Sequence, residues 1–366
     1  MRSSIGIVFI LLLASLFVGC NNEEKDGNIK IHSFSGAELT VAGFGGSTQR
    51  QMQMLAAQTF ETLTGAQVKF IKGTSRIHLG AIKKAKGQKP PFDVVLLDGI
   101  IQQIASREGL LQASTVDDIP LIENLLPQAQ PRVAGGPAFQ FYSVGIVYDP
   151  AALDEADVPD PSSWSDFWRP ELRGHVAVPS IYHTSGMDFV QAAARKAGAS
   201  PETLEGLKKG IDAIVELKPA MVYRSVRKLR DAFQEEKIWI APIYNSRAYS
   251  WIGQNMRVTY TFPREKGFGH LTTINVVKGT KNRRLAEMFI NLVLTQGYQY
   301  AQSIETPYGP VHRNVIEPLA HFPNVVKRFP LGEEGLSRLY VPNWERINSL
   351  RADVEKYWFE KFPDEE

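Results

Sequence analysis

The chain has 366 residues, with 41 Lys or Arg, 39 Asp or Glu and a single cysteine. Its composition, 43% hydrophobic and 22% charged, is that of an ordinary globular protein and excludes global disorder and a collagen-like chain. A net charge of +2 gives no electrostatic basis for binding nucleic acid. One cysteine excludes an intrachain disulfide, a thiolate zinc cage and an iron–sulfur centre. The length suggests two or three domains.

The first twenty residues have the pattern of an export signal. Arg2 is followed by an apolar run, 5–18, which is too short to span a bilayer and has the length of a signal-peptide core. The run ends in Phe17-Val18-Gly19-Cys20, which resembles the lipobox of bacterial lipoproteins, although Phe17 stands where an aliphatic residue is usual. We predict a signal peptide at 1–19 and lipidation of Cys20; an ordinary signal peptide with an incidental Cys20 is the alternative. The polar segment 20–36 is predicted to be a flexible tether.

Short apolar runs alternate with amphipathic stretches from residue 38 onward. Strands are predicted at 39–44, 68–71, 93–97, 142–148, 175–179, 238–243 and 271–277. Helices are predicted at 49–63, 77–86, 100–108, 185–197 and 283–294, and near the C-terminus at 336–340 and 344–358. The alternation of strands and helices predicts an α/β fold with parallel strands and right-handed crossovers.

Eight segments, in this order, carry a resemblance to a known family. They are 45–47 (Gly-Gly-Ser), 92–95 (Phe-Asp-Val-Val), 109–111 (Gly-Leu-Leu), 144–148 (Val-Gly-Ile-Val-Tyr), 161–168 (Pro-Ser-Ser-Trp-Ser-Asp-Phe-Trp), 172–178 (Leu-Arg-Gly-His-Val-Ala-Val), 286–291 (Ala-Glu-Met-Phe-Ile-Asn) and 308–311 (Tyr-Gly-Pro-Val). Together, over nearly all of 38–320, the chain resembles the type II periplasmic solute-binding proteins of ABC importers. The resemblance is to the branch with polyamine-, iron(III)-, thiamine- and aminophosphonate-binding members.

The resemblance implies a two-lobed fold, each lobe a mostly parallel sheet flanked by helices, with two hinge crossovers and a ligand held in the cleft. We assign 37–142 and 268–320 to lobe 1, and 143–267 and 321–366 to lobe 2, on which the C-terminal helices are expected to pack. Ligand is expected to close the lobes by a hinge motion.

Ligands of open α/β sheets bind beyond the carboxyl ends of strands, and this rule selects candidate residues in lobe 1. Gly46, Ser47 and Thr48 follow the first strand and open a helix, so they are predicted to contact an anion; a tight turn with a capping serine is the alternative. Arg76 follows the second strand and is a candidate clamp for a carboxylate or phosphonate, with a solvated loop arginine as the alternative. Asp98 ends the third strand and is predicted to bind a ligand ammonium or to cap the next helix.

The same rule selects residues in lobe 2. Ser185 and Gly186 open a helix directly after a strand, which predicts two helix N-termini facing one anion. Tyr244 and Arg247 follow another strand and are predicted to stack on and neutralise the ligand; hinge or core packing of Tyr244 is the alternative.

The chemistry of the ligand is predicted from His270 and the tyrosines. His270 is predicted to precede a strand at a place where polyamine binders of the family often carry an acidic residue, and 268–272 has none. Because desolvating a diamine requires paired carboxylates, this favours an anionic or zwitterionic solute. Tyr308, with Tyr244 and Tyr249, is a candidate for a ferric site, but no two tyrosines are adjacent. The histidines show no metal-ligand spacing, and we predict no metal and no cofactor.

The sequence therefore predicts the substrate-binding lipoprotein of an ABC importer, a monomer that delivers its solute to a permease with its ATPase. It is expected in the periplasm or on the outer face of the cytoplasmic membrane. Polyamine, thiamine or iron(III) binding in the same fold remain alternatives, as does a solute-sensing accessory protein. An exported hydrolase is disfavoured because the chain has no Gly-x-Ser-x-Gly or His-Glu-x-x-His motif, and we predict no catalytic residues.

Overall fold

The computed structural model describes residues 34–86 and 88–365. The predicted signal peptide, the lipidation site at Cys20 and the tether up to residue 33 lie outside the described residues. Within the described part of the chain, no helix is both long enough and apolar enough to cross a bilayer.

The described residues form ten named strands and fourteen α-helical elements with short 3₁₀ turns between them. The strands are β1 (Glu38–Gly43), β2 (Gln67–Lys72), β3 (Val94–Asp98), β4 (Ala138–Tyr148), β5 (Ala177–Pro179), β6 (Met221–Tyr223), β7 (Ile240–Tyr244), β8 (Thr259–Thr261), β9 (Gly267–Val276) and β10 (Leu339–Tyr340). Helix α1 is continuous through Gly46–Gln51, a π-helical stretch Met52–Ala57 and Gln58–Thr64. The others are α2 (Ser75–Lys84), α3 (Gly99–Arg107), α4 (Pro150–Glu155), α5 (Gly186–Lys196), α6 (Leu204–Leu217), α7 (Val226–Gln234), α8 (Asn245–Ile252), α9 (Arg283–Val293), α10 (Gln296–Glu305), α11 (Ile316–Ala320), α12 (Pro323–Val326), α13 (Gly332–Ser337) and α14 (Trp344–Lys361).

The main sheet has the strand order β2-β1-β3-β9-β4-β7. Strand β1 is parallel to both β2 and β3, whereas β9 is antiparallel to β3 and β4, and β4 is antiparallel to β7. The pair β5–β6 is parallel and meets β7 through a bridge between Val176 and Ile240. Every residue of β4 is buried, as expected for a strand covered on both faces.

Two large hydrophobic cores share the long strands β4 and β9. On β4, Phe139 and Phe141 lie in the first core, while Val144 lies in the second. On β9, Phe268 lies in the second core and Ile274 in the first. The two strands are neighbours in the sheet and run antiparallel, and both pass from one core into the other. They do so close to the paired residues Tyr142 and His270.

The C-terminal segment is divided between the cores. Phe329 is buried in the first core, and Leu336 packs against it. The predicted helix at 336–340 is wrong, because α13 ends at Ser337 and residues Leu339–Tyr340 pair with β9 as β10. The predicted helix at 344–358 is observed as α14, whose apolar stripe packs in the second core. Burial of a large apolar side chain such as Trp358 stabilises the fold by about 1.5–3 kcal/mol.

Candidate functional site

Tyr142 is the centre of a cluster at the place where β4 and β9 cross between the cores. Its hydroxyl donates to Asp98 Oδ1 at 3.0 Å, and its ring stacks on His270 at 5.1 Å with an interplanar angle of 12°. Tyr244 and Tyr308 meet the same ring edge-on, with centroids at 5.5 and 6.5 Å. Four of the predicted site residues therefore converge on a tyrosine that the sequence did not single out. Burial, followed by the charge of Asp98, raises the pKa of Tyr142 well above its usual value.

Asp98 does not cap helix α3, contrary to one prediction for it. Its side chain makes no capping hydrogen bond; instead its Oδ2 accepts from the Ser75 hydroxyl at 2.8 Å, while Oδ1 accepts from Tyr142. The backbone N–H of Asp98 donates back to Ser75 Oγ at 3.0 Å. These bonds fix the carboxylate between the start of α2 and the crossing strand β4.

His270 forms a buried pair with Asp188, a residue of the first turn of α5. His270 lies inside β9, which begins at Gly267, and not before the strand as predicted. Its Nε2 is 2.8 Å from Asp188 Oδ2, and both side chains are almost completely buried. Burial alone lowers the pKa of His270, but the charge and hydrogen bond of Asp188 outweigh it, so the pKa is raised. The acidic group missing from 268–272 is thus supplied by another element.

Helix α5 carries two buried acceptor oxygens that have no hydrogen-bond partner among the described residues. They are Asp188 Oδ1 and Gln191 Oε1, on residues whose side chains are fully buried. Residues three apart on a helix lie on the same face. Buried acceptors are normally paired, so this face of α5 has unused capacity for a hydrogen-bond donor.

The start of α5 is more tightly packed than predicted. A Cβ on Gly186 would lie 2.2 Å from the carbonyl oxygen of Ser180, so glycine is required here for backbone packing. The ligand contact of Gly186 remains a prediction, and its backbone N–H donates to the carbonyl of His183 at 2.9 Å. Ser185 is fully buried, and its hydroxyl lies 2.8 Å from His183 Nδ1.

His183 and Tyr244 extend the aromatic wall away from Tyr142. The two rings stack with centroids 5.4 Å apart, and the Tyr244 hydroxyl lies 3.4 Å from His183 Nε2. Burial, helped by the charge of Arg247, lowers the pKa of His183 to about 4, so this imidazole is neutral at pH 7. A wall of neutral aromatic rings suits the apolar part of a small solute.

Three arginines lie on helices whose other residues, or whose flanking residues, contact this cluster. Arg76 is exposed in the first turn of α2, and Arg247 is exposed in the first turn of α8, from where its charge reaches His183. Arg351 on α14 is partly buried, and the charges of Arg76 and Asp188 both act on it. No sequence pattern pointed to Arg351 as a site residue.

Gly46, Ser47 and Thr48 form the first turn of α1, as predicted. Gly46 is exposed with φ 62°, and a Cβ there would meet no atom within 4 Å; Ser47 is half-buried and Thr48 buried. No hydrogen bond or ring contact found among the described residues joins this turn to the cluster around Tyr142. Their contact with a ligand remains a prediction.

Residues 34–86 and 88–365 contain no group of three or more His, Cys, Asp or Glu side chains arranged to hold a metal ion. Tyr244 and Tyr308 both contact the ring of Tyr142, whereas the hydroxyl of Tyr249 donates to the carbonyl of Lys327 at 2.6 Å. The three tyrosines considered for a ferric site are therefore not gathered around one point by these contacts.

The family model for bacterial extracellular solute-binding proteins matches residues 56–327. The chain belongs to this family. A γ-aminobutyric acid-binding protein of Pseudomonas aeruginosa is 26% identical over 307 residues, covering 76% of this chain and 78% of the relative. The spermidine/putrescine-binding periplasmic protein of Escherichia coli is 20% identical over 307 residues, covering 81% of this chain and 82% of that protein.

Solved structures show the same fold. An ABC transporter substrate-binding protein from Bradyrhizobium japonicum superposes with a TM-score of 0.76 at 18% identity, covering 89% of this chain and 99% of that one. An ABC transporter protein from Clostridium perfringens gives a TM-score of 0.73 at 24% identity, over 88% and 99% of the two chains. These structures confirm the two-lobed type II fold expected from the sequence. The family model and the relatives confirm the role of a solute-binding protein.

Proposed function

We propose that this solute-binding protein captures a small zwitterionic solute that carries an ammonium group at one end and a carboxylate, phosphonate or phosphate at the other. The single observation that carries the proposal is the unpartnered Oδ1 of Asp188, fully buried next to His270 and the aromatic cluster. A primary ammonium has three N–H donors and would satisfy this oxygen. The neighbouring Gln191 Oε1 offers a second acceptor on the same helix face.

The anionic end is assigned to the arginine side of the cleft. Arg76 and Arg247 are exposed and carry positive charge at the first turns of two helices, where the helix dipoles also favour an anion. The first turn of α1 at Gly46, Ser47 and Thr48 belongs to the same class of anion site.

Putrescine or a related diamine is the second candidate. Two carboxylates, Asp98 and Asp188, act electrostatically on the Tyr142 hydroxyl, so the cluster contains more acidic groups than the sequence indicated. The γ-aminobutyrate- and polyamine-binding relatives both bind primary amines, which is consistent with an ammonium at Asp188. The free carboxylate oxygen serves one ammonium, and the surrounding arginines disfavour a second cation.

The mechanism we propose is closure of two lobes about β4 and β9, with transfer of the solute to a permease and no change in its bonds. We propose that the lobes follow the two cores, with 322–338 in the first lobe and α14 in the second, in place of a second lobe that includes all of 321–366. The protein is proposed to act as a monomer, anchored through Cys20 outside the cytoplasm. The apolar run 5–18 and the position of Cys20 support the anchor.

Titration calorimetry against a defined panel tests the ligand class. The panel contains γ-aminobutyrate and 2-aminoethylphosphonate as zwitterions, putrescine and spermidine as polyamines, butyrate as an anion, thiamine and ferric ion. We expect a zwitterion to bind most tightly. The proposal would be overturned if spermidine bound tightly and neither zwitterion bound. It would also be overturned if no compound of the panel bound.

Asp188→Asn tests the ammonium site directly. The substitution preserves the shape of the side chain and an oxygen for His270, but it removes the negative charge. Loss of one charge-assisted hydrogen bond is expected to weaken zwitterion binding by about 10- to 100-fold. Asp353→Asn, on the exposed face of α14, is the matched control and should bind as the wild type does. Equal affinity in both variants would contradict the assignment.

A further inference from the structure

Arg351 occupies a core-facing position of the C-terminal helix. Trp344, Ile347, Val354 and Trp358 form the buried stripe of α14, and Arg351 lies four residues after Ile347 and three before Val354. Its side chain is only 18% exposed. A guanidinium therefore lies where the helical spacing predicts an apolar side chain. Burying its charge costs free energy unless a strong partner compensates for the lost solvation.

The partners that Arg351 has within the protein are weak. Its Nε lies 3.3 Å from Asn348 Oδ1, and its Nη1 lies 3.5 Å from Glu355 Oε1, both on the same helix. Charge-assisted N–H···O bonds are normally about 2.7–2.9 Å long. By comparison, the exposed Arg338, directly after α13, reaches Glu334 at 2.7 Å. The guanidinium of Arg351 has five N–H donors, and these two contacts are both long.

Helix α14 packs against helices from both predicted lobes. It packs on α6 of the second core, and Ile100 from α3 belongs to the same cluster as Trp344 and Ile347. An ion pair of 2.8 Å between Arg107 and Glu345 also ties α14 to α3. A side chain on the inner face of this helix is therefore close to groups of the first lobe as well as the second.

Two groups of the site act on Arg351 from these two sides. Burial, followed by the charge of Arg76, lowers the pKa of the Arg351 guanidinium, while Glu355 and Asp188 raise it. Arg76 comes from the first turn of α2, which has no acidic residue. Helix α2 packs on α3, and α3 packs on α14, so the two guanidinium groups belong to neighbouring elements of the fold. An anion that binds between them would relieve their mutual repulsion.

We infer that Arg351 and Arg76 form a two-arginine subsite for the carboxylate, phosphonate or phosphate end of the solute, with Arg351 contributed by the C-terminal helix. The inference rests on the proposed function, since it orients the zwitterion with its ammonium at Asp188 and its anionic end toward α14. Planar guanidinium groups bind carboxylates and phosphonates through paired hydrogen bonds, which gives the subsite its preference for such anions.

The test compares γ-aminobutyrate with putrescine, which share a four-carbon chain and an ammonium and differ only at the other end. Both are titrated into the wild type, Arg351→Met, Arg351→Lys and the control Lys356→Met, which removes an exposed charge from the same helix. Melting temperatures without ligand are measured in parallel. Because Met suits the apolar stripe, Arg351→Met is expected to melt at the same temperature as the wild type or above it.

We expect Arg351→Met to weaken binding of γ-aminobutyrate by about 10- to 100-fold and to leave putrescine binding unchanged or tighter, because one repelling charge is removed. Arg351→Lys should be intermediate, because an ammonium cannot form the paired contact, and Lys356→Met should match the wild type. Equal affinity of Arg351→Met and wild type for the zwitterion would overturn the subsite, and so would a parallel loss for both ligands accompanied by a lower melting temperature.

Failure of the proposed function and failure of the subsite give different results. If the wild type binds neither γ-aminobutyrate nor 2-aminoethylphosphonate, the proposed function is wrong and this inference falls with it. If the wild type binds a zwitterion and Asp188→Asn weakens it, but Arg351→Met does not, the proposed function stands and the two-arginine subsite is wrong.

Discussion

His270 on β9 and Asp188 on α5 form a 2.8 Å contact between two side chains that are almost fully buried. One residue belongs to a strand that crosses between the cores, and the other begins a helix of the second core. The pair therefore joins the crossing strands to the helix that carries the unpartnered acceptor oxygens. Because the buried Asp188 carboxylate raises the pKa of His270, the free energy of unfolding depends on pH.

The sign of this dependence follows from the raised pKa of His270. The folded protein binds the His270 proton more tightly than the unfolded chain, whose histidine titrates near 6.5. The stabilisation is complete below about pH 6.5 and is lost as pH rises through the higher pKa of the folded state. Asp188 and Asp98 are the charged groups that favour this protonation.

His270→Gln is expected to lower the free energy of unfolding by about 3–5 kcal/mol at pH 5.5, because it leaves Asp188 without its charged partner. The difference from the wild type should shrink at pH 9. Denaturant unfolding at the two pH values measures it, and His321→Gln, at an exposed histidine, is the control. A difference that grew with pH would show that the pair is held by something other than protonation of His270.

Tyr142→Phe preserves the ring contacts of the cluster and removes only the hydroxyl that donates to Asp98. Loss of a hydrogen bond to a carboxylate costs about 1.5–3 kcal/mol, so the midpoint of urea unfolding should fall. Tyr300→Phe provides the comparison, because its ring is half-buried away from this cluster. Matching midpoints for the two variants would mean that the Tyr142–Asp98 bond does not stabilise the fold.

Gly186→Ala is expected to destabilise the protein because its new methyl group would overlap the carbonyl of Ser180. A cost of about 1–3 kcal/mol is typical of such overpacking. Gly80→Ala, in the middle of α2 where a Cβ would meet no atom within 4 Å, should instead stabilise by about 0.5–1 kcal/mol through helix propensity. Thermal denaturation should show a lower melting temperature for Gly186→Ala and a higher one for Gly80→Ala. An unchanged melting temperature of Gly186→Ala would refute the packing role of Gly186.

Cys20→Ser is expected to release the protein from the membrane fraction, because a serine cannot carry the thioether-linked lipid of the proposed anchor. Cell fractionation with an antibody against the folded body measures the shift. If the variant remained in the membrane fraction at the wild-type level, the lipid anchor would be wrong and the ordinary signal peptide would take its place.

The sequence located the fold and part of the site because these depend on local pattern. The rule that ligands bind at the ends of strands selected Asp98 and Tyr244, both of which meet the central residue Tyr142. Tyr142 itself was hidden in a continuous apolar strand, where it looked like core.

The remaining site residues depend on contacts between distant elements. In the sequence, Asp188 looks like an acidic residue in the first turn of a helix, where it would complement the helix dipole. Only the fold brings it to His270, which is 82 residues away in the chain. Arg351 became visible only when the orientation of α14 showed which side of the helix is buried. Gly186 was selected because it opens a helix directly after a strand, whereas the constraint that only the fold shows is the close approach of the Ser180 carbonyl.

The side-by-side passage of β4 and β9 through both cores also determines how the protein loses its structure when heated. Neither half can melt alone without pulling two central strands out of the other, since Phe139 and Val144 belong to one strand, as do Phe268 and Ile274. The halves should behave as one cooperative unit, with a single calorimetric endotherm whose van't Hoff and calorimetric enthalpies agree. The strands proposed as the hinge for ligand closure are therefore also the strands that make unfolding all-or-none.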